Sequence, residues 1–138
     1  MCLLLMAVIL TAGAVDLDRE GRDPAYVESI VKRSQKIVDK LEQKDAEMAQ
    51  HVTHIIANRY FKLNDIYEVR DAKVKQAKET LTGDAKQAAV KAAEDEKDAA
   101  LYRCHFEFPA ALSLYLDGKQ IDAVKDGMTY GVLMVTYN

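Results

Sequence analysis

Tryptophan is absent from these 138 residues, phenylalanine occurs three times, and proline and cysteine only twice each. Each shortage excludes something. Without large aromatics a core must rest on Ile, Val, Leu, Met and Tyr. Much of the 49% apolar content is alanine, which buries little area. Cys2 falls in an apolar leader, which leaves Cys104 alone, so no internal disulfide can staple the fold and packing must hold it. Cys104 itself reads as a small hydrophobe on a helix. An excess of one charge is also missing: 19 Lys and Arg face 22 Asp and Glu, a net charge of −3. Phosphate backbones require a dense basic face, so nucleic acid is excluded as a partner. The two signs alternate along the chain, as on solvated helix faces.

The first residues carry a different pattern. Cys2 to Leu10 is an unbroken apolar run, followed by Ala12-Gly13-Ala14 with the small-x-small spacing of a cleavage site. Asp16-Leu17-Asp18-Arg19-Glu20 then has the polarity of a mature start. The expectation is a removable export segment over 1–14, a domain over 15–138, and a secreted or periplasmic location. The run is too short to remain as a membrane span, so no stable span is expected in the mature chain. No Lys or Arg precedes the run, which places the true start upstream of Met1. The competing reading of the run is a buried N-terminal helix.

Helical periodicity fills the next hundred residues. Asp23-Pro24 is a helix start, and Val27, Ile30, Val31, Ile37, Val38 and Leu41 mark one apolar face of a helix over 24–43. Asp45 caps a second helix with Met48, Val52, Ile55, Ile56, Leu63, Ile66, Tyr67 and Val74 on its stripe. Neither Gly nor Pro interrupts 45–81, which predicts one long element. Thr82-Gly83-Asp84 supplies a stop and a new cap. The Ala-, Lys- and Glu-rich residues 85–101 favour helix over disorder by propensity, so the arms around Gly83 should form a protruding antiparallel hairpin. Pro109 predicts a break near Phe106–Phe108. Asp117-Gly118-Lys119-Gln120 has the spacing of a capping box opening a short helix through Ile121, Val124 and Met128. After Gly127 the chain is expected to turn and extend. The fold class is therefore all-α: an antiparallel bundle of about four helices, a long protruding hairpin and an extended C-terminal segment. That segment, with Val132, Leu133, Met134, Val135 and Tyr137, needs an apolar cover. The chain thus reads as the front part of a longer domain, marginally stable and prone to associate by itself.

Chemistry is sparse. His51 and His54 share a helix face, but the Glu of a His-Glu-x-x-His motif is missing because Val52 follows His51. They read as ordinary helix histidines, with no metal and no cofactor implied. The densest polar cluster is Asn58-Arg59-Tyr60 with Asn64-Asp65 and Arg70-Asp71. These side chains suit a hydroxyl-rich ligand: polar groups for bidentate hydrogen bonds and an aromatic face for a ring. They equally suit an internal network in which Arg59 and Arg70 pair with carboxylates. No Ser/His/Asp set, glycine-rich phosphate loop or cysteine cluster is present.

Ile55-Ile56-Ala57-Asn58-Arg59-Tyr60-Phe61-Lys62-Leu63-Asn64-Asp65-Ile66, continuing to Arg70-Asp71, resembles the first motif of an exported family found mainly in Bacteroidetes. That family carries a domain of unknown function and is labelled as sugar-binding. Lys125-Asp126-Gly127-Met128-Thr129-Tyr130-Gly131 with Val135-Thr136-Tyr137-Asn138 resembles its second motif. The likeness covers about residues 24–138. Relatives commonly begin the late helix with Thr-Pro-Glu-Gln, where this chain has Asp117-Gly118-Lys119-Gln120, which keeps the capping logic. Relatives also continue for several helices past Asn138. The resemblance implies a protein working beside polysaccharide-degrading systems, with carbohydrate or a glycan-processing protein as partner and no established catalytic residues. The candidate ligand-binding set is Asn58, Arg59, Tyr60, Asn64, Asp65, Arg70, Asp71, Tyr130 and Tyr137. Three functions compete: a non-catalytic carbohydrate-binding or accessory protein, a module docking a partner through its hairpin, and a lyase or hydrolase using Asp65, Arg70 and Tyr130 as acid and base.

Overall fold

The computed structural model describes residues 15–137, with side chains for 15–129; the leader expected over 1–14 lies outside them. Five helices and no strand occur among the described residues: α1 (Pro24–Asp39), α2 (Ala46–Thr80), α3 (Gly83–Cys104), α4 (Glu107–Leu112) and α5 (Gly118–Tyr137). The fold is an all-α helical bundle, and α2 is its spine, contacting α1, α3 and α4, while α5 packs on α1.

The helix boundaries follow local chemistry. Asp23 accepts a hydrogen bond from Tyr26 N–H at 3.3 Å, and Pro24 occupies the first helical position. The helix α1 stops at Asp39, short of the expected 43, because the chain reverses at Glu42 with a left-handed φ of 56°. Asp45 Oδ1 then accepts from Glu47 and Met48 N–H at 2.9 and 3.2 Å and opens α2. Its 35 residues run uninterrupted, as expected. At the hairpin turn Gly83 has φ +59°, the conformation glycine tolerates best. The capping position there is Thr82, without a side-chain bond, where Asp84 was expected. The Pro109 break falls at His105–Phe106, and Pro109 sits in the first turn of α4, where its missing N–H costs nothing. Asp117 and Gln120 form the reciprocal box: Gln120 N–H donates to Asp117 Oδ1 at 2.8 Å, and Asp117 N–H to Gln120 Oε1 at 3.0 Å.

One expectation is corrected. The chain does not extend after Gly127; α5 continues to Tyr137. Glycine lowers helix stability by about 1 kcal/mol relative to alanine without breaking the helix. The use of Gly127 is close approach: a Cβ there would lie 3.3 Å from Ile37 Cγ1 and 3.4 Å from Cγ2. Side chains from Tyr130 onward, including the apolar strip and the candidates Tyr130 and Tyr137, lie outside those described.

Two apolar clusters hold the body. The larger joins Ile37, Val38 and Leu41 to Val52, Ile55 and Ile56, and both to Phe108, Leu112, Leu116, Val124 and Met128. The smaller sets Phe61 and Ala57 against Val27 and Ile30. The expected stripe of α2 holds at Val52, Ile55 and Ile56 but fails at Met48, which is exposed, and again beyond Phe61. Leu63, Ile66 and Val74 are only half-buried and Tyr67 is exposed, because only α3 accompanies that half of the helix. The hairpin closes on small residues, Ala77 and Ala93, with ion pairs Arg70–Glu94 at 3.2 Å and Lys73–Glu96 at 2.5 Å across it. Such exposed pairs add little stability each. No helix among the described residues is long and apolar enough to cross a membrane.

Candidate functional site

Residues 15–22 form no helix; they lie as a strap along one face of α2. The spacing 51, 54, 58, 65 puts four polar side chains on that face. His51 Nδ1 accepts from Val15 N–H at 3.3 Å, and His54 Nδ1 bonds the Val15 carbonyl at 2.7 Å. Asn58 reads the next residues with both ends of its amide: Oδ1 accepts from Asp18 N–H at 2.8 Å, and Nδ2 donates to the Asp16 carbonyl at 2.9 Å. Arg22 closes the strap with a bidentate pair to Asp65 at 2.7 and 2.8 Å, a bond to the Asp18 carbonyl at 2.8 Å, and its guanidinium 4.6 Å above the Phe61 ring. The bond to Asp65 raises the Arg22 pKa above the usual guanidinium value, against an opposing effect of burial. The two histidines thus hold a main-chain segment. Among the described residues no group of three or more His, Cys, Asp and Glu can hold a metal.

The other candidates point elsewhere. Arg59 donates to the Cys104 carbonyl at 3.0 Å and its thiol at 3.2 Å, and lies 5.4 Å from the Phe108 ring. Its expected carboxylate partner is therefore replaced by the C-terminal end of α3, whose last carbonyls lack helical partners. Tyr60 is half-buried between the two clusters, with Arg33 5.8 Å from its ring, and burial raises its hydroxyl pKa. Arg70 does pair with carboxylates, Asp71 at 2.6 Å and Glu94 at 3.2 Å, and the hydrogen bond to Asp71 is the main cause of its raised pKa. Asn64 is half-buried.

The seven candidates whose side chains are described therefore do not converge on one point. Asn58 and Arg59 meet in a cleft of about 270 Å³ between α2, the strap and the α4 region. Its floor is Ile55 and Phe108, and Tyr115, stacked on His51 at 5.4 Å, forms one wall. Its rim is Asn58, Arg59 and the Lys62–Glu107 ion pair at 2.8 Å, with Leu114 as an exposed lip. Asp65 and Arg70 border a separate cleft of about 200 Å³ in the hairpin, together with Lys73, Lys97 and Arg103. A larger open groove of about 1040 Å³ lies along α1, bounded by Leu17, Arg19 and Arg22 of the strap. Sequence reasoning missed Arg22, Lys62, Glu107 and Tyr115. No local signal singles out Arg22, since Arg19 is a second cation in the same acidic stretch.

Replacing Arg22 by alanine is expected to free the strap and cost about 2 kcal/mol, the scale of hydrogen bonds to charged groups. Amide exchange at Asp18, with urea melting in parallel, checks this; unchanged protection at Asp18 contradicts the clamp.

Comparison with proteins of curated function finds no match. The profile described as "Protein of unknown function (DUF3826)" matches residues 27–138, so it takes in all five helices from Val27 onward and leaves out the strap. On that coverage, the chain belongs to the DUF3826 family of proteins of unknown function.

Proposed function

We propose that this is an exported, non-catalytic protein that binds carbohydrate, or assists a glycan-processing partner, through the cleft beside Asn58 and Arg59. The observation that carries the reading is the cleft's composition: a floor of Ile55 and Phe108 with Tyr115 at the wall, under a rim of amide, guanidinium, ammonium and carboxylate groups. A pyranose presents an apolar C–H face and an edge of hydroxyls, and small-ligand sites combine an apolar lining with a few placed polar groups in this way. The enzyme reading draws on Asp65 and Arg70, which border the separate hairpin cleft, where Asp65 is paired with Arg22 and Arg70 with Asp71 and Glu94. Export draws support from Val15, the residue after the expected leader, which already packs on the core and is held by two histidines. The family's sugar-binding label and an origin in Bacteroidetes belong to this reading as well.

Calorimetry of the full chain against neutral and acidic plant-type oligosaccharides tests the proposal. Binding should appear with at least one chain type, and Lys62→Ala should weaken it severalfold while leaving the melting temperature unchanged, since an exposed ion pair contributes little to stability. No heat with any oligosaccharide sinks it. The alternative, docking of a protein partner through the hairpin, has one observation in its favour: Tyr67 and Val69 are exposed on its α2 arm. A stoichiometric protein captured from the native periplasm, and lost on truncating the hairpin tip, would favour that reading.

A further inference from the structure

The rim of the cleft beside Asn58 is unevenly charged. Among the described residues three charged side chains line it: Arg59, Lys62 and Glu107. Lys62 and Glu107 neutralise each other at 2.8 Å, at positions half or more exposed. Arg59 is left over. Its Nη1 donates to the Cys104 carbonyl at 3.0 Å and lies 3.2 Å from the Cys104 sulfur. Neither contact is with a carboxylate, and none stands within ion-pair distance of Arg59 among the described residues. The same contacts pin the half-buried guanidinium 5.4 Å from the ring of Phe108, which forms the cleft floor. Its Nε and Nη2 make no hydrogen bond there. The charge is felt across the rim: the Glu107 carboxyl is held below the usual carboxylate range, first by the hydrogen bond from Lys62 and also by the charge of Arg59.

We propose that Arg59 is the specificity-determining residue of this cleft and selects saccharides bearing a carboxylate, the uronates, over neutral sugars. This rests on the carbohydrate reading above. A cation partly withdrawn from water is unfavourable until an anion meets it. The planar guanidinium, with N–H groups to spare, is the donor best matched to a carboxylate. A uronate carries its carboxylate on C5, at the edge of the ring. A ring lying with its C–H face on Ile55 and Phe108 therefore presents that group at the level of the rim, where Arg59 stands. A neutral hexose offers a hydroxymethyl group at the same place, which accepts a weaker hydrogen bond and leaves the charge uncompensated. Asn58 and the Lys62–Glu107 pair then remain for the ring hydroxyls. Net charge and apolar floor thus act on different parts of one ligand: the floor holds the ring, and the unpaired cation chooses which ring.

The test is calorimetry of the full chain with trigalacturonate and a mannuronate trisaccharide, each against its own methyl ester, and with xylotriose as a neutral chain. At least one free uronate is expected to bind about tenfold tighter than its ester, a difference of about 1.4 kcal/mol. The gap should narrow as salt is raised. Arg59→Gln should close it. Glu107→Gln, at an exposed position, should widen it severalfold by removing the anion that lines the rim, so the test does not depend on Arg59→Gln folding. Acid and ester bound equally, or a gap that Glu107→Gln leaves unchanged, overturns the inference; if Lys62→Ala still weakens binding, the cleft reading stands. No binding of any of these saccharides overturns both. A tri-aspartate peptide bound as tightly as either uronate assigns Arg59 to peptide carboxylates and overturns the saccharide selection.

Discussion

Phe61→Ala is expected to cost about 3–5 kcal/mol, a large share of the stability of a domain this size. Phe61 is fully buried against Val27, Ile30 and Ala57 where α1 crosses α2, with the Tyr26 ring 5.7 Å away. Its ring also lies under the Arg22 guanidinium. Truncation therefore opens a cavity in the smaller cluster and removes the surface on which the strap's anchor rests. Alanine keeps helix propensity high, so the loss is one of packing and not of local structure. Urea unfolding followed by far-UV circular dichroism measures the cost. Exchange at Asp18 should rise with it, since strap and cluster share this ring. A loss under about 1 kcal/mol would mean that α1 and α2 do not pack as described.

Leu112→Ala is expected to cost about 2–5 kcal/mol and to have a second consequence. The helix α4 has six residues, too few to be stable alone, so packing is what holds it. Leu112 is fully buried in the larger cluster with Val52, Ile56 and Val124, and Phe108 one turn earlier is its partner on that face. Loosening this helix displaces Phe108, Glu107 and Tyr115 from the cleft. Any saccharide affinity should then fall together with stability, even at temperatures where α1, α2 and α3 remain folded. Retention of full affinity in a destabilised Leu112→Ala protein would detach the cleft from ligand binding.

Local signals in the residues themselves account for most of the helix map. Asp23-Pro24, Asp45, Gly83, Pro109 and the Asp117–Gln120 box each act within four residues, so each could be read without knowing what packs where. Gly127 shows where that reading fails. A glycine after a short apolar stripe looks like a helix end; here it is the point where α5 comes within van der Waals reach of Ile37 on a helix ninety residues earlier in sequence. Tyr67 fails in the other direction. Its spacing continues the stripe of α2, but the bundle ends before it and only a hairpin arm remains beside it.

The candidate site divides in the same manner. The residue types were legible: Asn58, Arg59, Asp65 and Arg70 are all engaged in specific polar contacts. Their partners were not, because every one except Asp71 is at least 24 positions away in sequence. The sequence by itself determined an all-α chain with a long uninterrupted spine and a glycine-turned hairpin, since propensity and capping act locally, without reference to contacts. Only the tertiary structure decided that His51, His54 and Asn58 are spent on a main-chain strap. It also decided that Arg59 caps α3 and that a short proline-bearing helix closes a cleft against α2. Those outcomes depend on which helix faces meet, and burial against a distant partner leaves no local mark in the chain.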